Sequence, residues 1–283
     1  MQLVRAPAAL TVPGDTLAGA AAAGRPFGTG MPVLCLSSVC LYWAGMALND
    51  YADRHVDATE RPERPIPSGQ VEPGFALALA AGLTGAGLAL AGAAGGPRAL
   101  AVAGPLAATV WAYDLAAKRH VVAGPVAMAT ARVLDVLLGA GYGRLRAAAP
   151  AAAVLGAHTL IVCALSGREV RGADGPLLKA TLASTGGVVA LAARPARGSR
   201  CGRRHRAVGL TALAAYTAGF AGAQVTAGHL DPYRLQRAVT AGIVGTLPLQ
   251  AACSARAGRL SVAASLLACV PTARRLFRKV SPT

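Results

Sequence analysis

Charged and aromatic side chains are scarce in this 283-residue chain. Only 14% of its residues are charged and 4% are aromatic, whereas 54% are hydrophobic and the mean hydropathy is +0.48. Soluble globular proteins carry about 25% charged residues, so this chain lacks the polar side chains needed to cover a water-facing surface. The composition excludes a soluble enzyme. Abundant small residues favour close helix packing in a bilayer, and we predict an all-α, polytopic transmembrane helical bundle.

Acidic residues are also few. The chain has 12 Asp and Glu against 28 Lys and Arg, which gives a formal net charge of +16. In a soluble protein this excess would suggest a nucleic-acid partner. Here the basic residues gather in short loops between apolar segments, as membrane anchoring requires, so we expect a lipid bilayer and no nucleic acid. The six cysteines form no Cys-x-x-Cys pair, and neither a zinc site nor a disulfide framework is predicted.

Ten apolar segments approach the length of about 20 residues that a bilayer-spanning helix needs. No linker divides them, so residues 1–283 are interpreted as a single membrane-embedded domain with nine or ten spans. The segments lie at roughly 6–24, 29–48, 75–95, 98–115, 121–142, 150–167, 176–194, 207–227, 235–254 and 258–273.

The basic residues favour a cytoplasmic N-terminus. In that orientation 15 Lys and Arg lie inside and 12 lie outside, in the direction that the positive-inside rule requires. Residues 194–206 contradict the rule, because their six arginines fall outside. We predict a multi-pass protein of the cell membrane whose loops after the second, fourth, sixth and eighth segments are cytoplasmic, which puts every candidate site loop on the cytoplasmic side.

The longest polar stretch, NDYADRHVDATERPERPIPSGQ at residues 49–70, follows the second segment directly. In a helix, Asn49, Asp50, Asp53 and Asp57 fall within about 100° of arc on one face. Three carboxylates on one face repel each other and lose hydration near a membrane. A divalent cation removes that repulsion, and Mg²⁺ prefers oxygen ligands that it shares with substrate phosphates. The motif therefore predicts a magnesium site and a phosphate-bearing substrate.

Arginines and prolines follow the acidic residues in RPERPIPSG. Guanidinium groups bind phosphate oxygens well, and Arg61 and Arg64 are placed to do so. The prolines end the helix and stiffen the loop. We interpret this segment as part of a phosphate site rather than as a solvated loop of mixed charge.

The pattern NDxxDxxxD followed by RPxRPIPSG resembles the UbiA superfamily of intramembrane prenyltransferases. With YDLAAK and ARVLDVLLGA further along, the sequence is most similar to an actinobacterial branch that resembles the UbiA-like member of ebo-type gene clusters. The resemblance implies Mg²⁺-dependent transfer of a prenyl group from prenyl pyrophosphate to an unknown, aromatic or lipophilic acceptor. It implies catalytic metal ligands at Asp50, Asp53 and Asp57, and substrate contacts at Asn49, Arg61 and Arg64.

The resemblance implies a second site element after the fourth segment. UbiA-like enzymes have a tyrosine followed shortly by a lysine there, and this chain has Tyr113, then Lys118 and Arg119. The spacing is one residue longer than usual. We expect Tyr113 to contact the substrate. We expect the pyrophosphate to be bound by Lys118, as a catalytic residue, or by Arg119.

The family's second acidic motif should follow the sixth segment, where this chain reads SGREVRGADG. Arg168 and Glu169 match the start of the motif and are expected to bind substrate. Of the further aspartates, only Asp174 remains. Either Glu169 and Asp174 form an altered site, or one metal suffices, or activity is lost.

The altered motif keeps other functions open. A non-catalytic UbiA-like protein that binds lipid or assists assembly is one alternative, and a transporter with acidic residues at mid-membrane is another. The acids here cluster at a helix end, which disfavours a transporter. Arg132 and Asp135, inside the fifth segment, either form a structural ion pair or line the acceptor pocket.

Overall fold

The computed structural model describes residues 11–141, 144–168, 175–194, 202–227 and 231–279, and these are helical with no strand. A 3₁₀ turn, Ala117–Arg119, joins the helix Pro73–Leu115 to the helix Ala123–Ala140, and the helix Arg203–Tyr216 continues through a π-helical turn to Thr226. The helices are α1 (Val12–Ala22), α2 (Gly30–Glu60), α3 (Pro73–Leu115), α4 (Ala123–Ala140), α5 (Leu145–Ser166), α6 (Gly175–Ala193), α7 (Arg203–Tyr216), α8 (Pro232–Arg256) and α9 (Leu260–Lys279).

Eight helical segments of the described chain are long and apolar enough to cross a membrane. One of them, α3, reverses direction at Gly96, which has φ 61° and precedes Pro97. The indole nitrogen of Trp111 donates a 3.0 Å hydrogen bond to Thr84 Oγ1, so the two halves of α3 run antiparallel. Helix α3 therefore supplies the two predicted segments 75–95 and 98–115. The α-helical, multi-span architecture is confirmed.

Helix α1 packs against α4 with almost no space between the backbones. A Cβ atom added to Gly19 would lie 1.8 Å from the carbonyl oxygen of Val136, and one added to Gly139 would lie 1.9 Å from that of Thr16. Such contacts between small residues are how membrane helices approach closely. They hold α1, which has only 11 described residues, in the bundle interior.

A second hydrophobic cluster joins α5, α7 and α8. Tyr216 and Phe220 are fully buried in it. His158 is hydrogen-bonded to Tyr216 Oη at 2.9 Å and to the carbonyl oxygen of Gly242 at 3.0 Å. These bonds satisfy a polar ring that would otherwise be costly to bury, so this half of the bundle is a packed core.

The helices meet at two opposite ends of the bundle. The C-terminal ends of α2 and α3 lie together at one end of the bundle, because Lys118 pairs there with Asp53. We call this end the acidic end. The ends of α1 and α4 and the start of α5 meet at the other, the basic end. There Arg144 donates to the carbonyl oxygen of Ala23 at 2.9 Å, and Arg25 donates to that of Gly139 at 3.3 Å.

Candidate active site

The acidic motif lies on the last turns of α2. The helix continues to Glu60 and breaks at Arg61, just before the first proline of the loop. Asp50 and Asp57 are 8% and 4% exposed, whereas the side chain of Asp53 is 31% exposed. The predicted acidic helix face is therefore present, and its carboxylates are held by two basic side chains.

Lys118 is the first of these bases, and the 3₁₀ turn after α3 carries it to the end of α2. Its Nζ lies 2.7 Å from Asp53 Oδ1 and donates to Asn49 Oδ1 at 3.1 Å. Asp114, one helical turn earlier, is 3.8 Å away. One ammonium group is thus surrounded by three side-chain oxygens from α2 and α3.

Arg64 is the second base. Its Nη1 donates to Asp57 Oδ2 at 2.8 Å and lies 3.5 Å from Asp50 Oδ1. The loop folds back to place it, with Ser68 N donating to the carbonyl oxygen of Arg64 at 2.9 Å. The buried ring of Pro65 follows. The loop that the sequence assigned to phosphate binding therefore covers the acidic face.

Three other predicted substrate-binding residues lie apart from this cluster. Arg61, Arg119 and Arg168 are exposed, and they form no ion pair with the residues that the structure describes. Arg168 follows α5, which runs back to the acidic end. Glu169 and Asp174 fall outside the described residues, so the second acidic motif remains a prediction.

A cavity of about 280 Å³ extends from this cluster into the bundle. Asn49, Tyr113 and Asp114 line its end nearest the acidic motif. Ser38, Arg132 and Asp135 line the opposite end. The walls between are mostly apolar, formed by Val12, Leu41, Tyr42, Gly45, Met46, Leu106, Val110, Met128 and Ala131.

The deep end of the cavity holds a network of buried polar side chains. Arg132 forms an ion pair with Asp15 of α1, which also accepts a 2.9 Å hydrogen bond from Gln250 Nε2. Ser38 Oγ donates to Asp135 Oδ1 at 2.5 Å. The sequence left open whether Arg132 and Asp135 form an ion pair or line a pocket. Both line the cavity, and the ion pair of Arg132 is with Asp15.

Asp114 is the site residue that sequence reasoning did not select. It is 3% exposed, lines the cavity and faces Lys118 at i,i+4 spacing. That spacing is a readable signal, because side chains four apart meet on a helix. Its carboxylate adds a fourth acid to the three that the motif supplies.

The donor set at the acidic end suits a hard divalent cation. Mg²⁺ takes oxygen ligands and usually keeps part of its shell for water and phosphate. The oxygens of Asn49, Asp53 and Asp114 already surround a cation, the Lys118 ammonium. Across the described residues, no three His, Cys, Asp or Glu side chains form a ready-made metal cage. The oxygen donors are of the kind that Mg²⁺ takes, and a bound phosphate and water would complete its shell.

Solved structures of known proteins share this architecture. The apo structure of a UbiA homologue from Aeropyrum pernix K1 superposes with a TM-score of 0.68 at 18% sequence identity, covering 87% of this chain and 96% of that one. A structure described for digeranylgeranylglyceryl phosphate synthase gives a TM-score of 0.55 at 16% identity, covering 96% and 95%. At these identities the likeness establishes the fold.

Sequence relatives point to the same family. The digeranylgeranylglyceryl phosphate synthase of Methanothrix thermoacetophila is 50% identical over 62 residues, 22% of this chain and 23% of the relative. The one from Ignicoccus hospitalis is 33% identical over 139 residues, 49% of this chain and 45% of the relative. The matched stretches therefore span less than half of these relatives.

The sequence profile of the UbiA prenyltransferase family matches residues 12–167. This stretch is more than half of the chain and contains α1 to α5, the acidic motif, Lys118 and the cavity. The actinobacterial branch suggested by the sequence stays a prediction. The chain belongs to the UbiA prenyltransferase family.

Proposed function

We propose that the protein transfers a prenyl group from a prenyl diphosphate to a lipophilic acceptor within the membrane. The observation that carries this proposal is the cavity, which begins at Asn49 and Asp114, beside the carboxylates and bases of the acidic end, and extends into an apolar interior. A prenyl diphosphate has the same division, with a highly charged head and an apolar tail. The family membership supports the same chemistry.

The diphosphate would bind at the acidic end. Lys118 and Arg64 are each bonded to carboxylates, and both have the charge and donors to bind phosphate oxygens. Asn49, Asp50, Asp53 and Asp57 would hold Mg²⁺, which, when bound, neutralises the charge of the leaving pyrophosphate. Tyr113 and Asp114 line the cavity at the same end, next to the bond that breaks.

The apolar walls would hold the prenyl chain and exclude water. Leu41, Leu106 and Val110 lie between the two polar ends of the cavity. On α2, Ser38 and Asn49 are 11 positions apart, a rise of about 16 Å. A dry pocket protects a reactive allylic carbocation from hydrolysis. The bond between the prenyl carbon and the pyrophosphate oxygen breaks, and the pyrophosphate leaves with the electron pair. The acceptor forms the new bond to that carbon and loses one proton, which the released pyrophosphate or water takes up.

The names of the archaeal relatives support a lipophilic acceptor. They describe synthases of digeranylgeranylglyceryl phosphate, a glyceryl phosphate that carries geranylgeranyl groups. An aromatic acceptor is the other class to test. We also propose that the acidic end faces the cytoplasm, as the balance of basic residues at the two ends favours.

The test is a transfer assay with the full chain in proteoliposomes. The donors are farnesyl and geranylgeranyl diphosphate, and the acceptors are a singly prenylated glyceryl phosphate and an aromatic acid. Mass spectrometry should find a product one prenyl group heavier than its acceptor, which disappears in the Asp53→Ala variant. An unchanged product level in Asp53→Ala would contradict the proposed site.

The altered second acidic motif favours one other function, non-catalytic lipid binding. In that case the chain would still bind prenyl diphosphate in a Mg²⁺-dependent way but would give no product with either acceptor. Equilibrium binding measured beside the transfer assay therefore separates the two functions.

A further inference from the structure

Arginines without acidic neighbours gather at the basic end of the bundle. Within the described residues, every Asp and Glu except Asp15 and Asp135 belongs to a segment at the acidic end. Three junctions at the basic end, residues 23–29, 141–144 and 257–259, contain no acid. They contain Arg25, Arg144 and Arg259, which we call the arginine cluster.

The arginine cluster is held together by backbone carbonyl groups. Arg144 Nη1 donates to Ala23 O at 2.9 Å and to Gly24 O at 3.2 Å. Arg259 Nη2 donates to Arg25 O at 3.0 Å, and Arg25 Nη1 donates to Gly139 O at 3.3 Å. The guanidinium groups of Arg144 and Arg259 therefore bind the turn after α1, and Arg25 of that turn binds the end of α4.

These contacts leave the positive charges unbalanced. Within the described chain, no carboxylate forms an ion pair with any of the three arginines. A guanidinium has five N–H donors, more than the one or two used here. Arg144 is exposed, and Arg25 and Arg259 are half-buried. The cluster thus presents unused donors and positive charge that an anion would balance.

An apolar side chain lies beside the charges. The Arg259 guanidinium stacks over the Phe27 ring at 5.0 Å, and Phe27 is 36% exposed. Both belong to loops at the ends of helices that are long and apolar enough to span a membrane, where lipid headgroups would lie. A ligand that fits has an anionic group attached to an apolar chain, because guanidinium groups bind phosphate oxygens and the Phe27 ring offers an apolar contact.

We propose that the arginine cluster binds the phosphate group of an anionic phospholipid. This site lies at the opposite end of the bundle from the prenyl diphosphate site and does not depend on the proposed enzymatic function. The lipid phosphate would bridge Arg25, Arg144 and Arg259, and its acyl chains would lie along the helices beside Phe27. Bound lipid would thereby fasten the turn after α1 to α4, α5 and α8.

A purely structural role for these arginines predicts a different result. Their bonds to carbonyl groups at helix ends stabilise those ends whether or not a lipid is present. A substitution would then lower Tm equally in every lipid. The lipid site instead predicts a Tm difference between anionic and neutral lipid that the substitution removes.

The experiment is native mass spectrometry and thermal unfolding of the full chain, titrated with phosphatidylglycerol or phosphatidylcholine. The variants are Arg144→Gln, whose exposed side chain makes misfolding a small concern, and Arg259→Gln. The matched control is Arg98→Gln, which removes an exposed charge next to the Gly96 reversal at the same end. We expect tighter binding of phosphatidylglycerol to the native chain, about five- to tenfold weaker in each cluster variant and unchanged in the control.

Three results would overturn the proposal. Equal binding of the two lipids would show that the headgroup charge does not contribute to binding. An equal loss in Arg98→Gln would show diffuse attraction rather than a site. If inorganic phosphate alone raised the Tm as much as phosphatidylglycerol does, the cluster would be a binding site for a free anion.

Discussion

The ammonium group of Lys118 lies 2.7 Å from the carboxylate of Asp53 and joins the turn after α3 to the end of α2. Sixty-five positions separate the two residues in the sequence. The contact shows that the base and the acids assigned to prenyl diphosphate binding share one site. In the proposed site, substrate binding would replace this ion pair, since Mg²⁺ and phosphate oxygens would need the same two groups.

Lys118 and Arg119 should differ sharply when each is substituted. Lys118 contacts Asn49 and Asp53, whereas Arg119 is exposed. We expect Lys118→Ala to lower kcat/KM for prenyl diphosphate by about 10²- to 10³-fold, the usual cost of losing one preorganised charged donor. Arg119→Ala should lower it by less than about threefold, as an exposed charge contributes little. Equal losses in the two variants, measured by product formation, would contradict the role of Lys118.

Arg64 and Arg61 form a second matched pair. Arg64→Ala leaves the buried Asp57 carboxylate without its 2.8 Å partner, and removing one member of a buried pair costs about 3–5 kcal/mol. We expect a lower Tm and weaker substrate binding. Arg61→Ala, at an exposed side chain, should match the native chain in both thermal unfolding and binding. A Tm unchanged in Arg64→Ala would show that the pair adds nothing to the fold.

Removal of divalent metal should abolish prenyl diphosphate binding. The acids on α2 cannot attract a trianionic head unless a cation lies between them. EDTA should therefore remove binding measured by isothermal titration calorimetry, and Mg²⁺ should restore it. Asp53→Asn, which keeps the shape of the side chain, should require at least about tenfold more Mg²⁺. Undiminished binding in EDTA would rule out the metal site.

Much of this arrangement follows from sequence pattern alone. Long apolar segments are a strong signal, since backbone groups in lipid must be satisfied within helices. The acidic residues on α2 share a face because they are close in sequence and helical geometry fixes their directions. The turn with Lys118 could be assigned to the same end simply by counting crossings.

The partners of those residues could not be predicted in the same way. Arg61 and Arg64 lie in one short motif, yet only Arg64 turns inward, which depends on how the proline-rich loop folds. Arg132 pairs with Asp15, 117 positions away, rather than with its near neighbour Asp135. That pairing is set by the close contact of α1 and α4 at Gly19 and Gly139. Tertiary packing of this kind leaves no periodic signal.

We expect the ion pair of Arg132 and Asp15 to have a structural role, which can be tested by replacing both residues with apolar ones. Asp15→Asn should destabilise the chain by about 3–5 kcal/mol, because it leaves a buried guanidinium without its counterion. The double variant Asp15→Leu/Arg132→Met should recover most of that loss, as apolar replacements of buried pairs often do. Thermal unfolding in one detergent measures this. If the stable double variant also loses binding of the acceptor but not of prenyl diphosphate, Arg132 takes part in the acceptor pocket.

Accessibility of single cysteines should divide the chain into two sides. Arg61 and Arg119 are exposed at the acidic end, and Arg98 and Arg146 are exposed at the basic end. In a cysteine-free background, Arg61→Cys and Arg119→Cys should resist a membrane-impermeant maleimide in intact cells and react after lysis. The reason is that the larger number of basic residues on this side of the membrane favours a cytoplasmic acidic end. Arg98→Cys and Arg146→Cys should react before lysis. The reverse pattern would place the active site outside, and different behaviour of Arg61→Cys and Arg119→Cys would contradict the antiparallel α3 hairpin itself.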